Sequence, residues 1–216
     1  MNVLIIAGGP DPGAKLIQKC AAQAEKIYCA DRGAQWAYAA GITPDLVVGD
    51  LDSVNDQTVD RLEAENIRIV RYPVEKDMTD TQIAIEFAVS EGARSITLLG
   101  ALGGRIDHSL ANIGLMTSYH RRGVRIAIMD INTAMFVGER TITFRAVKGS
   151  TVSLFPIEEG VRVLKSEGLY YPLNDVVVPM DGTLCVSNHM TSDRVLLDVR
   201  NGALLLIVTA QEAPMN

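Results

Sequence analysis

Leu46-Val47-Val48-Gly49-Asp50-Leu51-Asp52-Ser53 is a short apolar run that stops at a glycine and then sets two carboxylates two positions apart. The same pattern recurs on both sides of it. Ile27-Tyr28-Cys29-Ala30 leads into Asp31, and residues 67–72 lead into Lys76-Asp77-Met78-Thr79-Asp80. Farther on, Ile96-Thr97-Leu98-Leu99-Gly100 leads into Gly103-Gly104-Arg105-Ile106-Asp107. Apolar runs of this length read as strands, as do Val3-Leu4-Ile5-Ile6 and residues 125–129. The segments between them carry helical patterns, over residues 14–26, 34–40, 55–65, 79–90 and 107–121. Regular alternation of this kind predicts an α/β fold with a mostly parallel, Rossmann-like sheet and flanking helices. With the strands parallel, the carboxylates collect on one edge of one sheet, which is where open α/β sheets bind ligands.

After residue 132 the rhythm changes. Short β-branched and apolar runs follow one another at residues 141–144, 151–155, 162–164, 176–178, 184–186, 195–199 and 204–208, separated by Gly, Pro and Asn-Asp. No helical period of useful length interrupts them, so this part is expected to be an antiparallel β-sandwich. The expected organisation is an α/β domain over residues 1–132 and a β-sandwich over 133–216. No Gly/Ser-rich linker, low-complexity tract or internal repeat divides them.

The 216 residues are 48% hydrophobic and 21% charged, with a formal net charge of −6 and no Lys/Arg block. That balance argues against nucleic acid or an anionic membrane surface as the main partner. No stretch approaches the roughly 20 apolar residues that span a bilayer. The first residues lack a basic n-region, which argues against a secretory signal. Cys20, Cys29 and Cys185 are odd in number and show no CxxC spacing, which favours a reducing, cytoplasmic setting over disulfides or structural zinc.

The loops are acidic in a way that suits hard cations. In extended backbone Asp50 and Asp52 face the same side and can share one ion; Mg²⁺ takes one or two carboxylates plus substrate phosphate oxygens. Asp77 and Asp80 sit at the entry to a helix, where either capping by Asp77 or Thr79 or ligand binding accounts for them. Arg105 can fork onto phosphate oxygens beside the paired glycines, and Lys76 is a second cation of that kind. Asp107 either caps the next helix or meets substrate. Together these residues point to Mg²⁺ and a polyphosphate. Gly8-Gly9-Pro10-Asp11-Pro12-Gly13 matches neither a Walker A motif nor GxGxxG, and there is no HExxH or GxSxG. His108, His120 and His189 are scattered, and Trp36 is expected in the core.

With these residues assembled, the chain resembles the thiamine pyrophosphokinases. The resemblance is carried, in order, by Ala30-Asp31-Arg32-Gly33-Ala34, Val48-Gly49-Asp50-Leu51-Asp52-Ser53, Glu75-Lys76-Asp77-Met78-Thr79-Asp80 and Gly103-Gly104-Arg105-Ile106-Asp107-His108. Residues 166–173 and Val186-Ser187-Asn188 extend it over nearly the whole chain. It implies transfer of the β,γ-pyrophosphoryl group of ATP to thiamine, giving thiamine diphosphate and AMP. It also implies a homodimer with active sites at the subunit interface. Matched motif by motif, Asp50, Asp52 and Asp77 or Asp80 would hold Mg²⁺. Asp31, Lys76, Gly104, Arg105 and Asp107 would line the ATP and reaction site, with Asp80 or Asp107 as the base. Tyr171, Ser187 and Asn188 fall on the thiamine side.

Two positions depart from the pattern. Arg32 stands where members of the family often have Gly, and Tyr170 where Lys is frequent. Neither removes a proposed metal ligand. Two other readings fit the acidic loops: a Mg²⁺-dependent kinase or pyrophosphokinase for another small alcohol, and a non-catalytic nucleotide-binding module.

Overall fold

The computed structural model describes residues 1–52, 54–71 and 77–210. The chain separates into two compact units, residues 1–131 and 132–216. In the first, strands β1 (Asn2–Ile6), β2 (Lys26–Ala30), β3 (Leu46–Val48), β4 (Arg68–Val70), β5 (Ser95–Leu99) and β6 (Arg125–Met129) alternate with helices α1 (Ala14–Ala21), α2 (Gly33–Ala39), α3 (Asp56–Ala64), α4 (Asp80–Ser90) and α5 (Ile106–Arg121). All pairings are parallel, in the order β6-β5-β1-β2-β3-β4. The chain therefore walks outward from β1 to β4, then returns past β1 to place β5 on its other side.

Packing explains why the central strands read as unbroken apolar runs. Leu4 and Ile6 join Cys29, Val47, Ile17 of α1 and Ala37 of α2 in one core cluster, while the alternate residues Val3 and Ile5 are equally buried. A strand covered on both faces has no polar side to display. Helix α2 starts hard against the end of β1: a Cβ on Gly33 would lie 2.0 Å from the Ile6 carbonyl oxygen. Only glycine permits that approach. Helices α3 and α4 begin with side-chain caps, Asn55 accepting from Thr58 N and Thr79 from Gln82 N. Thr79, not Asp77, is thus the cap of α4.

The second unit is antiparallel throughout its paired strands: β7 (Thr133–Arg145), β8 (Thr151–Pro156), β9 (Arg162–Glu167), β10 (Asn174–Val177), β11 (Asn188–His189) and β12 (Arg194–Thr209). The two late runs expected as separate strands are one strand, β12. It pairs with β7 on one edge, and on the other with β9 in its first half and β8 in its second. A bulge between Asp198 and Ala203, with Asn201 and Gly202 at positive φ, marks the change of partner. The bulge also resets the side-chain alternation: Val195, Leu197 and Val199 face the core before it, and Leu204, Leu206 and Val208 after it. The strand expected at 184–186 does not form. That segment is a turn whose Cys185 is buried in the core while Leu184 and Val186 are exposed.

Candidate active site

Parallel order reverses between β1 and β5, and open α/β sheets hold ligands at such a switch point, at the carboxyl ends of the strands. A cavity of about 640 Å³ lies there. Its walls are the β1 exit (Gly8 to Pro10), the β2 exit (Ala30 to Arg32), the entry to α4 (Met78 to Thr81) and the β5 exit through Arg105, closed by His108 and Asn112 of α5. Four residues singled out from the sequence, Asp31, Asp80, Gly104 and Arg105, line one cavity. They stand on three separate loops, which meet the β1 exit at a place that no single motif marks.

Each wall is held by specific bonds. The Asp31 amide donates to the Val48 carbonyl at 2.9 Å, extending the β2–β3 pairing past the strand. The Asp31 carboxylate then lies over Gly49, where a Cβ would meet its Oδ1 at 1.8 Å. The β5 exit is fastened to α5 by Asn112, whose Nδ2 donates to the Ala101 carbonyl at 2.8 Å. Ser109 adds to this, accepting from Gly103 N at 3.1 Å and donating to the Arg105 carbonyl at 3.2 Å. Asn112 and Ser109 have no motif signature; only their positions one and two turns into α5, below a glycine-rich loop, hint at the role. Trp36 packs against the core as expected, but its Nε1 also donates to the Gly9 carbonyl at 3.1 Å.

Asp50 and Asp52 flank a turn, not an extended tail. Leu51 has φ +66° and is buried in the core, and Asp50 Oδ1 accepts from the Asp52 amide at 3.1 Å. A residue in the left-handed region breaks the alternation of extended backbone, so strand geometry does not set Asp50 and Asp52 on one side as expected. Among the described residues, Asp50, Asp52 and Asp77 do not line the cavity. Lys76, with Ser53 and residues 72–75, lies outside the described residues. Asp107 does not cap α5, whose N-cap is Arg105 without a side-chain bond. Instead Arg105 grips the Asp107 carboxylate through Nη2 at 2.6 Å and Nε at 3.2 Å. The guanidinium hydrogen bond holds the Asp107 carboxyl down at about 2.

The three residues read from the second unit divide in character. Asn188 is buried, and its side chain is committed to the backbone: Oδ1 accepts from Tyr171 N at 3.0 Å and His189 N at 2.8 Å, and Nδ2 donates to the Tyr171 carbonyl at 2.7 Å. Tyr171 itself is 60% exposed and meets Tyr170 edge to face at 4.9 Å, so it is not part of the core. Ser187 is exposed at φ +62°, its amide donating to Ser153 Oγ at 3.0 Å.

Residues 17–128 match the thiamin pyrophosphokinase catalytic domain, and residues 139–204 match the thiamin pyrophosphokinase vitamin B1 binding domain. Thiamine pyrophosphokinase of Bacillus subtilis is 31% identical over 212 residues, covering 95% of this chain and 97% of the relative. The crystal structure of thiamine pyrophosphokinase from Bacillus subtilis superimposes with a TM-score of 0.85 at 26% identity, over 98% of this chain and all of the other. That of thiamin pyrophosphokinase from Geobacillus thermodenitrificans gives 0.82 at 27% identity, with both chains fully covered. The chain belongs to the thiamin pyrophosphokinase family.

Proposed function

We propose that the β1/β5 cleft binds ATP and that its β,γ-pyrophosphoryl group passes there to the hydroxyethyl oxygen of thiamine, the activity of the family. The observation that carries this reading is the convergence of Asp31, Asp80, Gly104 and Arg105 on one cavity at the topological switch point. The new bond joins the thiamine oxygen to the β-phosphorus, and the oxygen bridging the α- and β-phosphorus leaves with AMP. Little covalent work falls to the protein in such a transfer, so its task is positioning and charge stabilisation. Asp31, Gly104, Arg105 and Lys76 are assigned to the nucleotide. Asp80, in the first turn of α4 and on the cavity wall, is assigned as the base that receives the thiamine hydroxyl proton. Asp107 is a poorer base while Arg105 holds it, since a carboxylate titrating at about 2 has low proton affinity.

Mg²⁺ fits the donor set. Carboxylate oxygens are hard donors, and such an ion takes one or two of them plus phosphate oxygens; among the described residues no three metal-binding side chains gather in one place, so no more than two of the assigned carboxylates would hold it together. Asp50, Asp52 and Asp77 are the residues assigned to hold it. Bound there, the ion would neutralise phosphate charge. Residues 1–132 are read as the ATP- and Mg²⁺-binding catalytic domain, and 133–216 as the thiamine-binding and dimerisation domain, with Tyr171, Ser187 and Asn188 on the vitamin side. A homodimer with active sites at the subunit interface completes this reading. The match of residues 139–204 to a vitamin B1 binding domain supports the second assignment. Three buried, free cysteines support a reducing, cytoplasmic setting, and among the described residues no helix is long and apolar enough to cross a membrane.

The test is AMP release from ATP and Mg²⁺ with and without thiamine. Thiamine-dependent AMP is expected. Asp50→Asn and Asp52→Asn should each lower its rate by roughly 10²–10³-fold, the scale for losing one electrostatic partner of a transition state, while circular dichroism stays unchanged. Wild-type turnover in both folded variants sinks the metal assignment, and no AMP from the unmodified protein sinks the activity.

A further inference from the structure

Arg32 has no role in the assignments above, yet it stands in the cavity wall directly after Asp31. Its guanidinium is fixed in place. Nη2 donates to the Gly8 carbonyl at 3.0 Å, and Cζ lies 5.4 Å from the centroid of the Trp36 ring. Trp36 in turn holds the next carbonyl, that of Gly9. The Gly9 amide in turn donates to the Gly100 carbonyl of the β5 exit at 3.1 Å. The β1 exit loop is thus tied on both sides, and Arg32 is tied with it.

The ties leave the charge and most of the donors of Arg32 unused. A guanidinium offers five N–H groups in a rigid fork, and the Gly8 carbonyl accepts from one terminal nitrogen. Nε is buried and has no acceptor among the described residues. A buried donor on a charged group is expensive to leave unpaired. A carbonyl and an aromatic face position the cation without neutralising it, and no carboxylate among the described residues pairs with it. Arg105, on the β5 exit, differs, because its charge is already matched by Asp107. Among the described residues, an anion entering the cleft therefore meets a prepositioned cation without a carboxylate partner at Arg32, and phosphate oxygens suit its fork.

We propose that Arg32 is a phosphate-binding residue for the nucleotide, its free donors taking a phosphate oxygen of ATP while Gly8 and Trp36 hold the guanidinium in place. The proposal rests on the reading of this cleft as the ATP site.

Trp36 is the sole tryptophan of the chain, so its emission reports on the group stacked against it. The experiment titrates the unmodified protein, Arg32→Gln and Arg32→Lys with ATP and Mg²⁺ in the absence of thiamine, following Trp36 fluorescence, and repeats the titration with adenosine. Gln can still donate to the Gly8 carbonyl but lacks the charge. Arg32→Gln should weaken ATP binding on the order of 10- to 100-fold, the range for a charge-assisted hydrogen bond. Adenosine binding and the melting midpoint should stay near wild type, and Arg32→Lys should recover part of the ATP affinity. Unchanged ATP affinity in both variants overturns the proposal. Loss of ATP and adenosine by the same factor, with a lowered melting midpoint, also overturns it and makes Arg32 a brace of the loop only. Failure of the unmodified protein to bind ATP overturns the ATP-site reading itself, and the proposal with it.

Discussion

The first unit keeps its core and its chemistry on separate residues, and the second does not. In residues 1–131 the strand interiors are buried and the candidate groups stand on the loops that leave them, at one edge of the sheet. A loop carboxylate there can change without opening the core. In residues 132–216 the long strand β12 serves β7, β8 and β9 at once, and the buried side chain of Asn188 shapes the exposed segment at Tyr171. Packing and surface are coupled there through the same backbone. Substitutions should therefore act mainly on turnover in the first unit and on stability in the second.

The largest stability effect that tests this contrast belongs to Leu206, fully buried in the second half of β12. Leu206→Ala should destabilise the protein by about 2–5 kcal/mol, the range for truncating a leucine in a packed core. Chemical denaturation reads it directly. A loss below about 1 kcal/mol would mean that the β12 core relaxes around the cavity, and the contrast between the units would fall. Asn188→Ala comes next. It strips partners from Tyr171 N, the Tyr171 carbonyl and His189 N, so a cost of about 1–3 kcal/mol follows from leaving a buried group unpaired. The thiamine KM should rise with the ATP KM unchanged, because the Tyr170-Tyr171 segment loses its support. If the thiamine KM rises while stability is untouched, Asn188 touches the vitamin instead of bracing the backbone.

The same contrast explains what the sequence could and could not reveal. Parallel strands covered on both faces announce themselves as apolar runs, and residues 46–48 coincide with β3 while residues 3–6 fall within β1. The second unit hid its spine because Asn201-Gly202 has the look of a hairpin turn. Both residues do adopt positive φ. What decided the outcome was β7 running alongside, with Arg140 also at positive φ opposite the bulge, so that both strands bend together and neither reverses. At the cleft, Asp31, Asp80 and Arg105 were legible as candidates, whereas the bonds that Asn112, Ser109 and Trp36 make to its loops were not. Their work is to hold backbone carbonyls and amides, and such partners become neighbours only once the sheet order is known.

The smallest expected effect concerns Arg105 and Asp107, whose side chains are 71% and 62% exposed. Arg105→Gln should return the Asp107 carboxyl from about 2 toward the ordinary value of about 3.9, read by carboxyl NMR titration of the nucleotide-free protein. The sign is that of a depressed carboxylate. The pair's contribution is present above the unfolded value and is lost as pH falls toward the folded one. Solvent screening keeps that contribution to stability slight. An Asp107 that titrates at about 2 in the variant as well would remove Arg105 as the cause. If the shift does depend on Arg105, nucleotide phosphates that draw the guanidinium away should raise the Asp107 carboxyl in the unmodified protein too. Its proton affinity would then increase only when ATP is in place. Even so, the residue would stay beside the cavity, while Asp80 stands on its wall, and proximity to the incoming hydroxyl decides between two carboxylates before their basicity does.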